Sequence, residues 1–106
     1  MATKLYGFKA THPGEVLKDE IEYRGISQRA LAAEMGISYN ILNDILNCRR
    51  NISETTALLF EAALDIPADS ILALQQKYNM QKLRCNKAFS LRLKTIRESA
   101  MAARQL

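Results

Sequence analysis

Residues 27–47, SQRALAAEMGISYNILNDILN, read as two short helices joined by a tight turn at Gly36. Ser27 is a good N-cap, its hydroxyl able to accept one of the backbone N–H groups that a first helical turn leaves unpaired. The helix it opens ends at Met35, where Gly36 supplies the left-handed conformation that other residues adopt only at a cost. Ser38 caps a second helix that runs to about Asn47. A three-residue connection between two such helices is the length expected of a helix-turn-helix arrangement. Leu31, Ala32, Met35, Ile37, Leu42 and Ile45 face inward if the helices cross at a wide angle, with Ala32 small enough for a close crossing. Ser38, Tyr39, Asn40, Asn43 and Asp44 then form a polar outward face. Amides and hydroxyls on a short exposed helix suit hydrogen bonding to base edges; the alternative is a solvated face of a small bundle.

Working outward, His12-Pro13-Gly14-Glu15 opens an earlier helix. Pro13 suits the first helical position, which needs no N–H partner, and Glu15 meets the positive end of the helix dipole. Val16, Leu17 and Ile21 give it an apolar stripe, and Glu22 to Gly25 closes it. His12 is the sole histidine; with no nucleophile or metal partner in view, capping is its expected role. Residues 1–10 form an arm, with Leu5, Tyr6 and Phe8 as anchors if it packs at all.

After the second helix come Cys48, Arg49, Arg50 and Asn51. Arg49 and Arg50 are the densest positive charge near the reading face, suited to phosphate contacts that position without specifying sequence. Ser53 caps a fourth helix to about Leu64, with Ala57, Leu58, Phe60, Ala63 and Leu64 as its buried stripe; Leu59 and Ala62 widen it toward a subunit contact or a broad core contact. Asp65, Ile66 and Pro67 break that helix. From Ala68 to Leu106 there is neither Gly nor Pro. Ile71, Leu74, Gln75 and Tyr78 mark a further helix, with Leu72 beside the stripe. Phe89, Leu93, Ile96, Ala100 and Ala103 follow at spacings of four, three, four and three. Such a heptad-like seam serves subunit pairing, packing on the core or a partner protein, and a basic tail that orders only on binding is the alternative.

The 106 residues make one all-α domain. No run approaches the roughly 18 apolar residues of a membrane span, and the N-terminus lacks the apolar core of a signal peptide, so a cytoplasmic location without membrane contact is expected. Cys48 and Cys85 have no metal-ligand spacing and are expected as free thiols, with no cofactor and no metal. The net charge of +4 is unevenly spread: zero over residues 1–37, −2 over 38–65 and +6 over 66–106. Phosphate neutralisation supplies most non-specific affinity for DNA, so a single copy of the reading module is expected to bind weakly, leaning on a second subunit or the basic tail.

HPGEVLKDEIEYRGISQRALAAEMGIS, ILNCRRNIS and ILALQQKY together resemble the HigA/VapI-type antitoxins, within the helix-turn-helix class that includes phage repressors. The resemblance runs from about Thr11 to Tyr78. Its more specific part is His-Pro-Gly-Glu combined with Leu-x-Leu-Gln-x-x-Tyr, here Leu72 to Tyr78. It implies a compact five-helix, lambda-repressor-like domain over residues 11–78, with residues 79–106 as a basic helical extension. It further implies a homodimer on palindromic double-stranded operator DNA, repressing its own operon and neutralising a cognate toxin like the RelE-type mRNA endonucleases. By family pattern Gln28 and Arg29 lie at the DNA backbone, with Ser38, Tyr39, Asn40 and Asn43 in the major groove. Cys48 and Asp65 stand where the family usually has glycine, which predicts strained or altered turns. Ile71 takes a position often held by Trp and leaves a smaller anchor. A stand-alone repressor without a toxin fits the same residues, and the acidic reading helix also fits a pure protein-interaction module. No acid–base pair, nucleophile or phosphate loop suggests an enzyme.

Overall fold

The computed structural model describes residues 9–104; the anchors Leu5, Tyr6 and Phe8 lie outside them. The described residues form six helices: α1 (Pro13–Tyr23), α2 (Gln28–Met35), α3 (Tyr39–Leu46), α4 (Glu54–Leu64), α5 (Ala68–Arg84) and α6 (Lys87–Arg104). The first five enclose one core and the sixth extends from it, as expected.

Local chemistry starts each helix of the core. The Ser27, Ser38 and Ser53 hydroxyls accept the N–H groups of Ala30, Ile41 and Thr56 at the heads of α2, α3 and α4. At the head of α1 His12 does the same, its Nδ1 accepting the Gly14 N–H at 2.9 Å. Pro67 has no side chain to offer α5, and Glu61 Oε1 accepts the Ala68 N–H at 2.7 Å instead. α1 packs on α3 and α5, α2 on α3 and α4, and α4 on α5. Leu17, Ile21, Leu31, Leu42, Ile45, Phe60 and Leu64 fill the middle, each at most 2% exposed. Each such side chain, fully buried, is worth about 1.5–3 kcal/mol of transfer free energy.

The apolar stripes are narrower than their sequence suggests. Val16 and Leu58 are 44% and 57% exposed, so neither belongs to the core stripe expected of it. Leu46 and Ile52 do belong, at 1% and 4% exposure. Ile37 and Ala63 pack only at the edge of the core. Ile71 is buried and lines an apolar groove between α1 and α5, bordered also by Pro13, Val16, Ile66 and Leu74. α5 runs unbroken through Tyr78 to Arg84, and α6 has no buried residue. α6 packs against α5, with Ser90 Oγ donating to the Arg84 carbonyl at 2.8 Å.

His-Pro-Gly-Glu and Leu-x-Leu-Gln-x-x-Tyr meet in space. The His12 and Tyr78 rings stand edge to face, 4.8 Å between centroids. Buried Gln75 accepts the Ile52 N–H at 2.8 Å and donates to Asn51 Oδ1 at 3.1 Å and Asn79 Oδ1 at 3.0 Å. One amide thereby ties the loop after α3 to α5. Gly14 is buried against α3, where a Cβ would strike the backbone carbonyl of Ile45. Only glycine lets the first turn of α1 come this close.

Both glycine-replacing residues keep the geometry that glycine would supply: Cys48 has φ +63° and Asp65 +58°. Both turns thus place a non-glycine residue in left-handed backbone, which is the strain expected there. Left-handed backbone costs a non-glycine residue about 1–2 kcal/mol, less for Asp, whose short polar side chain bonds locally. Cys48→Gly is therefore expected to stabilise the fold by up to about 1 kcal/mol after the extra unfolded-state entropy of glycine, and Asp65→Gly by less. Urea midpoints of the two variants check this, and a midpoint lowered by Cys48→Gly would count against strain at that turn.

His12 makes stability depend on pH. It is 3% exposed, and Nε2 has no hydrogen bond of regular geometry among the described residues. Burial lowers its pKa below the ordinary 6.5, outweighing the nearby Asn51 side chain and Glu15 carboxylate, while Lys82 pushes the same way as burial. A folded-state pKa below the unfolded value means that the unfolded chain takes up the proton first. Stability is thus complete above the unfolded pKa and falls as pH drops below about 6.5. Protonation also fills the Nδ1 lone pair that caps α1. Melting temperatures should fall between about pH 6.5 and 5 more steeply for the natural protein than for His12→Asn, which keeps a capping oxygen without titrating; equal slopes would remove His12 from the effect.

Candidate nucleic-acid interface

The reading surface is assembled from the start of α2, the outward face of α3 and the loop that follows. Gly36, at φ +71°, turns the chain between the helices while its N–H bonds back to the α2 carbonyls. Leu31, Ala32 and Met35 of α2 are buried with Leu42, Ile45 and Leu46 of α3. Their burial leaves Ser38 and Asn40 exposed and Tyr39, Asn43 and Asp44 half-buried.

Side chains on this surface are tied to one another. The Arg29 guanidinium lies over the Tyr39 ring, 4.5 Å from its centroid, a cation–π contact joining α2 to the first turn of α3. Gln28 Oε1 accepts from Asn43 Nδ2 at 3.1 Å. Asn43 Oδ1 in turn accepts from Arg49 Nη2 at 3.0 Å. Arg49 also pairs with Asp44, Nε and Nη2 donating to Oδ1 at 3.2 and 3.1 Å. Beneath them Asn47 Nδ2 donates to the Asn43 carbonyl at 2.9 Å, and Lys18 Nζ of α1 reaches Asn47 Oδ1 at 3.4 Å.

All eight residues singled out in the sequence lie on this surface, but in three conditions. Ser38 spends its hydroxyl on the α3 cap, and Asn43 has both ends of its amide engaged. Arg29, Tyr39, Gln28 and Arg49 are held by neighbours. Asn40 and Arg50 are exposed and make no side-chain hydrogen bond or ion pair among the described residues. Asp44, the single charge on α3, is more than part of a polar face: it pairs with Arg49, and its spacing from that arginine just past the helix end is the sequence signal for the pair. Elsewhere, Cys48 and Cys85 are free thiols, and no helix among the described residues is long and apolar enough to cross a membrane.

The profile of the Helix-turn-helix family matches residues 17–71. The chain belongs to that family, in its HigA/VapI-type branch. It is 34% identical to virulence-associated protein I of Dichelobacter nodosus over 73 residues, 68% of either chain. Its fold matches the antitoxin GraA with a TM-score of 0.69 at 31% identity, over 73% of this chain and 84% of that one. It likewise matches the Pseudomonas aeruginosa antitoxin HigA, solved with the higBA promoter, with a TM-score of 0.68 at 31% identity, over 83% and 91% of the two chains.

Proposed function

We propose that the protein is a sequence-specific DNA-binding antitoxin that acts as a homodimer, represses its own operon and neutralises a cognate toxin of the RelE-like mRNA endonuclease type. The observation that carries DNA reading is the exposed polar face of α3, tied by hydrogen bonds to the head of α2 and to the following loop. The solved likeness to an antitoxin bound to its promoter supports the same use of the fold. Two copies related by a two-fold axis would enter successive major grooves about 34 Å apart on a palindrome. Gln28, Arg29 and Arg50 lie toward the DNA backbone in this reading, where contacts position the protein. Ser38, Tyr39, Asn40 and Asn43 face the groove. Asn40 carries the uncommitted amide and can pair bidentately with adenine; Asn43 holds the face in shape.

The toxin rests on family membership alone, and a stand-alone repressor would use the same surface. Co-expression with the product of the adjacent gene separates them, an antitoxin yielding a stable complex that purifies as one species. For DNA reading the test is Asn40→Ala. It should weaken binding to the DNA upstream of the protein's own gene by about 1–3 kcal/mol while leaving random duplex binding nearly unchanged. Equal losses on both DNAs would remove Asn40 from base reading, and no binding to either at low salt would favour a protein-interaction module.

A further inference from the structure

The loop arginine next to the reading helix has a geometry that does not suit the phosphate role its position suggests. Arg49 folds back over α3, and its charge is matched by Asp44 at 3.1 Å. A paired guanidinium and carboxylate add little to the attraction of phosphates, which responds to net charge. Arg50, one residue on, is exposed and unpaired among the described residues, and is the one placed to neutralise phosphate.

From this geometry we infer that Arg49 is a specificity-determining residue that reads guanine in the major groove, with Asp44 and Asn43 as its positioning residues. The inference rests on the DNA-reading function proposed above. Arginine recognises guanine by donating to O6 and N7 from one planar edge, and this requires a fixed fork more than a fixed charge. Asp44 Oδ1 takes Nε and Nη2, Asn43 Oδ1 takes Nη2 again, and Nη1 keeps both protons unengaged. The guanidinium is thus held against α3 through two of its three nitrogens, and the third keeps its donors free. Asn43 is itself held by Gln28 at the head of α2, so the orientation is fixed from two helices. Ordering such a long side chain before binding removes much of the rotamer entropy that docking would otherwise cost. Guanine needs a second donor beside Nη1, so on docking the Asn43 contact opens while Nε and Nη2 stay on Asp44 Oδ1, and the Nη1–Nη2 edge meets O6 and N7.

Lysine separates the two roles. It keeps the charge but loses the planar fork and its hydrogen bonds to Asp44 and Asn43, so Arg49→Lys preserves a phosphate contact and sharply weakens guanine readout, although an ammonium can also donate to O6 and N7. Selection from a randomised duplex library first defines the site preferred by the natural protein; affinities are then measured for that site and for versions with each G·C pair replaced by A·T. One G·C pair per half-site should cost the natural protein about 10- to 100-fold when replaced. Arg49→Lys should lose most of that preference while keeping its salt dependence, its random-duplex affinity and its thermal melting. Asp44→Asn should blunt the same preference and raise random-duplex affinity, since it removes a negative charge. A natural protein that discriminates, paired with an Arg49→Lys variant that keeps the G·C preference, overturns this inference alone. A natural protein that binds no DNA overturns both it and the function on which it rests.

Discussion

The first turn of α1 pressed against the backbone of α3 is the constraint on which the rest of the structure depends. Gly14 sits where any Cβ would strike the Ile45 carbonyl, so the last turn of the reading helix is located by backbone contact. The residues around Gly14 keep that turn in place. Pro13 needs no N–H partner there, His12 caps the helix through Nδ1, and the His12 ring stands against Tyr78 of α5. Three residues earlier on α5, Gln75 holds the loop that leaves α3. The reading helix is thus fixed at one end by its Ser38 cap and at the other by α1, α5 and their polar contacts. Interactions of this kind fix orientation more than they add stability, since a net hydrogen bond is worth only about 0.5–1.5 kcal/mol.

Rigidity of the face matters because its charge is unhelpful. α3 carries Asp44 and no basic residue, and Arg49 is matched against that carboxylate. The positive excess lies in α5 and α6 rather than on α3. Such a division weakens indiscriminate attraction to nucleic acid and leaves discrimination to placed donors and acceptors. The turn at Cys48, at φ +63°, redirects the chain after α3, and Arg49 beyond it pairs back with Asp44.

Much of this was legible in the sequence, for local reasons. The serine caps, Pro13 at a helix start and Gly36 at a turn act within a few residues, so their chemistry is visible without knowledge of the fold. For Cys48 and Asp65 the family resemblance implied strained or altered turns, and the backbone shows left-handed strain at both. Burial was less legible at stripe edges: Val16 and Leu58 have the right periodicity, yet the width of the covered face depends on a neighbouring helix far off in the chain. Least legible were the long-range contacts. Nothing local marks Gly14 as touching Ile45, Gln75 as the partner of Ile52, or Gln28 as the partner of Asn43. The same gap affected the reading face. Residue type placed Asn40 and Asn43 together there, and only the fold distinguishes the free amide from the committed one.

In the proposed function α3 and its flanks, rather than the basic C-terminal helix, meet DNA. The most direct measurement is backbone amide chemical-shift mapping of the full chain titrated with the duplex upstream of its own gene. Large perturbations are expected within residues 27–50, with α6 affected weakly or not at all. Perturbations concentrated in Lys87–Arg104, with α3 unchanged, would contradict that function.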